Sequence, residues 1–457
     1  MIADELRRLL GQEIVADDAG TLDAHSGDKW FAHEAPEVVV FAQTTEQVSA
    51  LLKFSNQHKI PVTARGAGYG YVGGCVPVRR GIALSLARMN RIKDISFGDA
   101  VAVVEPGVIT GFLQAEVRKR KLFYPPDPAS LEHCTIGGNV ATNAGGPRCL
   151  KYGVTRNYVV GLEVVLANGD VLRTGGRVHK NKTGFDLIGL FVGSEGMLGI
   201  VTEITLRLIP HPPARATLSA AFQTMKEAAA AVQHIFAHGF LPSSLEIADA
   251  FVLEAARQDR GAASVPKGDA HLLVDVDGQE ETVSAEVAKL RELVAALSPL
   301  SVEVATTEAE SEKLWELRRE FSNALRATGL TKLNQDIVVP RTHLVDLVEF
   351  AEQLRAKYGF PVATFGHAGD GNIHVNIMAD RYNREASVRA QVELALDDLF
   401  AQVLAWGGVI TGEHGIGLAK KRWWPEATSE VSRELHRSIK RALDPNNILN
   451  PGKFLDD

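Results

Sequence analysis

Residues 65–74 read Arg-Gly-Ala-Gly-Tyr-Gly-Tyr-Val-Gly-Gly, and this glycine-rich run decides how the first half of the chain is interpreted. The run formally satisfies the GxGxxG fingerprint, which requires a helix to begin at the loop so that its N-terminus faces a pyrophosphate. Pro77 and Gly81 follow closely and argue against a helix there. We therefore interpret the run as a nest of backbone N–H groups that binds a phosphate, with a plain irregular turn as the alternative.

The residues before this run predict a strand–helix–strand unit. A β-branched segment over 37–42 precedes Thr44-Thr45-Glu46-Gln47, which has the pattern of a helix N-terminal cap. Apolar residues at helical spacing follow, and 61–64 returns to a strand pattern. The second strand of the unit therefore leads directly into the glycine-rich run.

Two further glycine clusters lie among short predicted strands downstream. The first covers 135–146 and lacks bulky side chains nearly throughout; the second covers 193–201 and is similar but runs into a strand. Such segments let the backbone approach a flat ligand closely. Between them, Asn168-Gly169 predicts a hairpin turn. Three clusters separated by strands indicate one long ligand held extended across several loops.

The pattern changes after His211-Pro212-Pro213, which we interpret as a domain boundary. Beyond it, strands alternate with long amphipathic helices, and this alternation predicts a separate α+β domain. The predicted helices span 225–238, 281–297, 308–328, 341–358, 384–406 and 430–443.

Composition excludes several classes of protein. A chain of 457 residues with 45% hydrophobic and 23% charged residues is typical of a soluble globular protein of two or three domains. The net charge of −7 without a long basic run argues against nucleic acid as the principal partner. We see no apolar stretch long enough for a membrane-spanning helix and no secretory signal. Three cysteines, Cys75, Cys134 and Cys149, cannot build a disulfide framework and fit a reducing cytoplasm.

A second informative region combines histidines with a carboxylate. His367 and His374 flank Gly369-Asp370-Gly371, a turn across which the two imidazoles can converge. Glu413 and His414 follow in another glycine-flanked loop. Two histidines and one carboxylate with open positions form the ligand set of a catalytic Zn²⁺ or non-haem Fe²⁺ site. The alternative is that these are hydrogen-bonded histidines, and Asp370 is better interpreted as a turn-forming residue than as a ligand.

Taken together, the run at 65–74, Tyr124-Pro-Pro-Asp-Pro128, and the clusters at 135–146 and 193–203 resemble the FAD-binding domain of the PCMH-type flavoproteins of the vanillyl-alcohol-oxidase superfamily. The second half resembles the cap domain of that superfamily. More narrowly, the chain resembles the branch of D-2-hydroxyacid dehydrogenases that contains D-lactate dehydrogenases, D-2-hydroxyglutarate dehydrogenases and the flavin subunit of glycolate oxidase. The resemblance covers roughly residues 35–455.

The resemblance implies an α+β fold in three segments. A two-subdomain PCMH-type FAD-binding domain would cover 1–212. An α+β cap domain with an antiparallel sheet, of the FAD-linked oxidase C-terminal type, would cover 213–425. A C-terminal segment, 426–457, would return to the FAD-binding domain.

The resemblance also implies which residues hold the cofactor. These would be Arg65, Gly66, Gly68, Tyr69 and Gly70 at the pyrophosphate, and Asp127, Thr135, Gly138, Asn139, Thr142, Glu195, Gly199 and Ile200 along the rest of FAD. Relatives usually carry Thr or Ser at the position of Tyr69, and members that bind flavin covalently through this loop have His there. We therefore expect non-covalent, dissociable FAD.

For the substrate side, the resemblance implies His367, His374 and Glu413 as ligands of a divalent metal, with Zn²⁺ expected first and Mn²⁺ or Fe²⁺ as alternatives. It implies His414 as the general base and Asn376 as a substrate contact.

A substrate carboxylate favours a guanidinium, and by the resemblance Arg318 would hold it, with Ser322 one helical turn further on. A cationic partner would be Lys332, or Asn334 if the register is shifted by one extra loop residue. The alternative interpretation of Arg318 is a solvated charged helix face.

The function implied is FAD-dependent oxidation of a small (D-)2-hydroxy acid, of the glycolate, D-lactate or D-2-hydroxyglutarate class, to the 2-oxo acid by hydride transfer to flavin N5. The electron acceptor would be oxygen, a quinone or a partner redox protein, and the chain would form a homodimer or a complex with an iron–sulfur subunit. We expect a cytoplasmic location, with peripheral association at the inner face of the membrane as an open alternative.

Two other functions stay open: a metal-dependent hydrolase or non-haem oxygenase built on the His/His/Glu set, and a non-catalytic flavoprotein subunit of a larger complex.

Overall fold

The computed structural model of the protein describes residues 2–455. The chain divides into two compact units, and the first of them consists of three separate stretches. Unit 1 comprises the residues up to 145, then 154–211, and those from 413 onward; unit 2 comprises 146–153 and 212–412. No helix of the described residues is long and apolar enough to cross a lipid bilayer.

The helices, in chain order, are α1 (Ile2–Leu10), α2 (Ala19–Ala24), α3 (Thr45–His58), α4 (Thr110–Arg118), α5 (Ile136–Thr142), α6 (Cys149–Tyr152), α7 (Leu187–Phe191), α8 (Met225–Ala237), α9 (Ala250–Arg260), α10 (Glu280–Ala295), α11 (Glu308–Ala327), α12 (Leu344–Tyr358), α13 (Ala386–Ala405), α14 (Trp424–Ala427) and α15 (Glu430–Leu443).

The strands, in chain order, are β1 (Val15–Ala16), β2 (Val38–Phe41), β3 (Val62–Arg65), β4 (Ile82–Ser85), β5 (Ile92–Ser96), β6 (Val101–Val104), β7 (Leu122–Phe123), β8 (Val159–Val165), β9 (Val171–Gly175), β10 (Ile200–Arg207), β11 (Ile209–Pro210), β12 (Ala214–Phe222), β13 (Ser244–Asp249), β14 (Ala270–Gly278), β15 (Ser301–Ala305), β16 (Thr331–Val338), β17 (Val362–His367) and β18 (Asn372–Ala379).

Unit 1 contains a four-stranded and a five-stranded sheet. The four-stranded sheet has the order β1-β2-β4-β3, in which β2 and β3 both pair in parallel with β4. Because β2 is buried on both faces, it reads as a continuous run of apolar residues. The predicted strand–helix–strand unit is confirmed, and Thr44 caps α3 by accepting a hydrogen bond from the Gln47 N–H group. The segment around Leu449 pairs with Val62 and extends this sheet beyond β3.

The five-stranded sheet of unit 1 is antiparallel and has the order β5-β6-β10-β8-β9. The predicted hairpin at Asn168-Gly169 is confirmed, since these residues join β8 to β9 and Gly169 has a φ of +83°. A third pairing in the unit joins β7 to β11.

The first glycine cluster after the loop differs from the prediction. We expected 135–146 to be a loop, but residues 136–142 form helix α5. Thr135 caps this helix by accepting a hydrogen bond from the Gly138 N–H group. A Cβ atom at Gly137 would lie 2.5 Å from the Cβ of Pro106, so this glycine permits close packing rather than an irregular backbone.

Unit 2 is built on a seven-stranded antiparallel sheet, as expected of the cap domain. Its strand order is β15-β12-β14-β13-β17-β18-β16. Helices α9 and α11 cover one face, where Phe321 and Leu325 pack against Phe365 and Met378. A capping box formed by Thr307 and Glu310 begins α11. Residues 318 and 322 of α11 therefore lie over the strands that carry the histidines.

Candidate active site

The glycine-rich run leaves strand β3 and presents a row of backbone amides. In the part of the chain that the structure describes, none of the N–H groups from Gly66 to Gly70 donates a hydrogen bond to a protein acceptor. Gly68 has a φ of +71°, which a residue with a side chain rarely adopts. Free amides in such a turn form an anion-binding concavity, so the run fits the pyrophosphate of FAD.

Side chains around the run fix its shape. The Arg65 guanidinium donates hydrogen bonds to the Gly27 carbonyl at 2.5 Å and to Cys75 Sγ at 3.3 Å. The Tyr69 ring stacks on His133 with 4.8 Å between ring centroids. The Lys29 ammonium lies 4.6 Å from the centroid of Tyr69. Contacts with His133 and Lys29 therefore hold the Tyr69 ring in one position.

Helix α5 lies against the same run. A Cβ atom at Gly66 would come within 2.5 Å of Thr135 Oγ1, so the backbone approaches the helix cap closely there. Asn139 Nδ2 donates to Thr110 Oγ1 at 2.7 Å, and Thr142 Oγ1 donates to the Gly138 carbonyl at 3.2 Å. Of the other predicted cofactor residues in unit 1, Asp127 lies half-buried in the loop after β7, Gly199 directly precedes β10, and Ile200 is the first residue of β10.

Glu195 holds a second loop in place. Its carboxylate accepts hydrogen bonds from the Ile416 N–H group at 2.8 Å and the Gly417 N–H group at 2.9 Å. The Asn450 side-chain amide donates to the Glu195 carbonyl at 2.7 Å. Burial raises the pKa of the Glu195 carboxyl, and the two N–H groups oppose that rise. Glu195 thereby anchors the loop that carries His414.

The His414 imidazole has a defined setting within unit 1. Its ring stacks on Tyr71 of the glycine-rich run with 5.3 Å between centroids. Its Nε2 atom lies 3.7 Å from an Oε atom of Glu413. The side chains of both residues are mostly buried. The predicted base is therefore placed beside the predicted phosphate-binding run.

In unit 2, the two histidines lie on a hairpin formed by β17 and β18. Their rings are 5.5 Å apart between centroids and nearly perpendicular, and both are buried. The turn between them uses Gly371 at a φ of +83°, and Asp370 Oδ1 accepts a hydrogen bond from the Asn372 N–H group. This is the turn-forming geometry expected of Asp370.

Glu413 completes the group. Its neighbour Gly412 is fixed by hydrogen bonds from its N–H group to the backbone carbonyl of Asp336 at 2.9 Å and to the side-chain carboxylate of Asp336 at 3.0 Å. One ligand atom from each of His367, His374 and Glu413 lies within 4.8 Å of the other two. Two imidazoles and a carboxylate at this spacing match the chemistry of a divalent transition metal, so the donor set fits a Zn²⁺, Mn²⁺ or Fe²⁺ ion.

Arg318 is buried, and one edge of its guanidinium group binds the Glu246 carboxylate. Its Nε and Nη2 atoms donate to Glu246 Oε2 at 2.7 and 2.6 Å. The guanidinium carbon lies 5.0 Å from the centroid of the Phe365 ring. A charged helix face in solvent, the alternative interpretation of Arg318, is therefore wrong. The other edge of the guanidinium keeps its N–H groups for a carboxylate.

Next to it, Lys332 Nζ donates to Ser322 Oγ at 2.7 Å. Burial, together with the positive charges of Arg326 and Arg318, lowers the pKa of Lys332 to about 7. Asn376 directs its Nδ2 group to the carbonyls of Ala363 and His374, both at 3.0 Å.

Asn376 Oδ1 and Asn334 Oδ1 are buried and accept no hydrogen bond from the described residues. The two asparagines are paired neighbours on β18 and β16. These are acceptors that a bound hydroxyl or ammonium group would satisfy.

Sequence reasoning missed Glu246. Its carboxylate links Arg318 to His367, whose Nδ1 atom lies 2.6 Å from Glu246 Oε1. Burial by itself would raise the pKa of the Glu246 carboxyl, but the His367 imidazole and the Arg318 guanidinium lower it to about 2. The signal in the sequence was an acidic residue between the apolar residues Leu245 and Ile247, since a carboxylate buried at such a position is costly unless it is paired.

Two family models match the chain. One is described as "FAD binding domain" and matches residues 36–175; the other is described as "FAD linked oxidases, C-terminal domain" and matches residues 211–454.

Curated relatives cover nearly the whole chain. The glycolate oxidase subunit GlcD of Bacillus subtilis (strain 168) is 39% identical over 440 residues, which is 94% of this chain and 93% of the relative. A D-lactate dehydrogenase of Anaerostipes hadrus is 36% identical over 455 residues, covering 98% and 94% of the two chains.

Solved structures share the fold. p-Cresol methylhydroxylase with substrate bound has a TM-score of 0.82 at 22% identity and covers 100% of this chain and 96% of its own. 4-Ethylphenol oxidase from Gulosibacter chungangensis has a TM-score of 0.77 at 22% identity, with coverage of 99% and 96%.

Proposed function

Because the chain belongs to the FAD-linked oxidase family, we propose that it oxidises a small 2-hydroxy acid to the 2-oxo acid with FAD as the hydride acceptor. The relatives at 39% and 36% identity are named for glycolate and D-lactate, and both are small 2-hydroxy acids. The observation that carries the proposal is the buried Arg318 guanidinium. The Glu246 carboxylate contacts both this guanidinium and the His367 imidazole, on the same face of the unit 2 sheet.

Unit 1 would hold FAD through the free amides of Gly66–Gly70 and the residues around Thr135. When bound, FAD supplies hydride acceptance at N5. The run has Tyr69 and no histidine, so we propose that FAD is non-covalent. Denaturation should therefore release the flavin into the supernatant.

Unit 2 would bind the substrate. The free edge of Arg318 would hold the carboxylate with two charge-assisted hydrogen bonds. Lys332, supported by Ser322, would add a second positive charge, and Asn376 Oδ1 would accept a hydrogen bond from the hydroxyl. Asn334 remains the alternative to Lys332.

The residues His367, His374 and Glu413 would hold a divalent metal, with Zn²⁺ as the first expectation. Such an ion would supply Lewis acidity that lowers the pKa of the substrate hydroxyl. The His414 imidazole would then accept the hydroxyl proton at a ring nitrogen, because histidine is the side chain that most often acts as a general base.

The electrons must pass on from the reduced flavin, and we propose oxygen, a quinone or a partner redox protein as the acceptor. One relative is named as a subunit. We propose that this chain likewise assembles, either with an iron–sulfur subunit or as a homodimer. A cytoplasmic location, with peripheral membrane association as its alternative, stays a prediction.

The test is anaerobic flavin reduction. The purified protein is mixed with D-lactate, glycolate or D-2-hydroxyglutarate, with L-lactate as the stereochemical control, and the flavin absorbance is followed. Bleaching by one of the three acids is expected. A flavin that dithionite reduces but none of the acids bleaches would contradict the proposal and would favour a non-catalytic subunit. A protein that retains no flavin but hydrolyses esters would favour the metal-dependent hydrolase.

A further inference from the structure

One buried carboxylate in unit 2 joins two groups with different proposed roles. Glu246 is 1% exposed and lies on β13 directly opposite His367 of β17. Its Oε1 atom is 2.6 Å from His367 Nδ1, and its Oε2 atom accepts both hydrogen bonds from Arg318. Each oxygen of the carboxylate thus serves a different partner.

The contact to His367 fixes which ring nitrogen carries the proton. An ionised carboxylate accepts hydrogen bonds and donates none, so His367 Nδ1 must carry the proton. When the ring is neutral, its lone pair is then on Nε2. Metal-bound histidines typically donate their other N–H group to a carboxylate in this way, which sets the orientation of the ring.

The contact to Arg318 fixes which edge of the guanidinium is free. Both Nε and Nη2 point at the same Glu246 oxygen, which leaves the Nη1 edge for a ligand. The guanidinium is planar and rigid, so holding one edge also sets the direction of the other.

We propose that Glu246 is a positioning residue that fixes the spacing and orientation of the carboxylate anchor Arg318 relative to the metal ligand His367. The inference rests on the proposed function, because it takes the roles of these two residues from there. Glu246 itself touches neither the substrate nor the metal.

The variant Glu246→Gln separates the two contacts. A glutamine presents one acceptor oxygen and one NH₂ group, so it can satisfy His367 or Arg318 in the present geometry but not both. If its oxygen faces Arg318, its NH₂ group faces Nδ1 of His367 and drives the proton to Nε2. If its oxygen faces His367, its NH₂ group faces the guanidinium.

The same strand offers a matched control. Asp249 is a half-buried carboxylate of β13 that accepts hydrogen bonds from Val252 and Thr364 in the described chain. The variant Asp249→Asn removes a half-buried carboxylate three residues away without touching Arg318 or His367. Glu246→Asp, which keeps the charge but is shorter by one methylene, serves as a second test variant. Flavin content and circular dichroism report folding for every variant.

Two binding measurements are made on the full chain with FAD bound. In the first, chelator-treated protein competes with a chromophoric chelator for Zn²⁺; in the second, pyruvate is titrated calorimetrically into chelator-treated protein. Glu246→Gln should lose about 10- to 100-fold in Zn²⁺ affinity, the range typical of such second contacts, and roughly tenfold or more in pyruvate affinity. Asp249→Asn should stay within about twofold of wild type in both.

The wild-type values test the proposed function, and the ratios of variant to wild type test the inference. A wild type that binds neither Zn²⁺ nor pyruvate refutes the proposed roles of His367 and Arg318, and the inference with them. A wild type that binds either ligand, with folded Glu246→Gln and Glu246→Asp binding it equally well, overturns the positioning role while the proposed function stands. Equal losses in Asp249→Asn would also overturn it, because the effect would then be a general consequence of removing a carboxylate from β13.

Discussion

Replacing Arg318 by lysine tests the substrate anchor most directly. Arg318 donates two hydrogen bonds to one Glu246 oxygen, at 2.7 and 2.6 Å, and its side chain is 10% exposed. A lysine ammonium keeps the charge but has no fork, so it can replace one of these bonds and cannot simultaneously present a second edge to a ligand. The lost hydrogen bond to a charged group costs about 1.5–3 kcal/mol in the free energy of unfolding.

The same change should weaken substrate binding. If the free edge of Arg318 holds the substrate carboxylate, its loss removes about 1.5–3 kcal/mol of binding free energy, which corresponds to a roughly ten- to hundredfold higher KM. Chemical denaturation gives the first quantity, and steady-state kinetics with the best substrate of the panel give the second. Because FAD is held by unit 1, the flavin content of Arg318→Lys should equal that of wild type.

A neighbouring arginine provides the control. Arg319 is about half exposed and pairs with Glu312 at 2.6 Å, a surface ion pair that is worth little. Arg319→Lys should therefore leave both the free energy of unfolding and KM close to wild type. The reasoning would be refuted if Arg318→Lys matched Arg319→Lys in both measurements.

Three further changes have defined outcomes. His414→Ala should slow flavin reduction by roughly 10²–10⁴-fold in stopped-flow measurements while FAD stays bound; unchanged kinetics would remove His414 from the mechanism. Gly66→Ala should weaken FAD binding in a flavin-release titration, because its Cβ would lie 2.5 Å from Thr135 Oγ1, whereas Gly98→Ala, with open space around it, should not. Lys332 has a pKa of about 7 and is cationic below it, so KM should rise as the pH passes upward through about 7; a Lys332→Arg variant with the same pH profile would contradict this.

Much of the fold followed from local patterns. The helix predicted at 430–443 has those bounds in the structure, and the one predicted at 308–328 ends one residue earlier. Caps such as Thr44 and turns such as Asn168-Gly169 are signalled by residues a few positions apart, so sequence reasoning finds them. The helix at 136–142 was missed because Gly137 is explained only by packing against Pro106, a contact between segments distant in sequence.

Only part of the candidate active site could be predicted from the sequence. The two histidines on one hairpin are close in sequence, and the turn between them could be read directly. Glu246 could not, because its link to His367 spans 121 residues and depends on the pairing of β13 with β17. The link to Arg318 depends in addition on α11 packing over that pair of strands. Both are properties of the assembled sheet rather than of any local segment.

The pairing of Leu449 with Val62 has a consequence for biosynthesis. The edge of β3, from which the glycine-rich run departs, is covered by a segment made almost four hundred residues later: the Val62 N–H group donates to the Ile448 carbonyl at 2.7 Å, and the Asn450 N–H group donates to the Val62 carbonyl at 2.8 Å. During translation this edge stays open until residue 450 has left the ribosome, while all of unit 2 has already been synthesised. The flavin-binding unit is thus the one whose folding is completed last, and a nascent chain that stalls near its end would expose an unpaired strand.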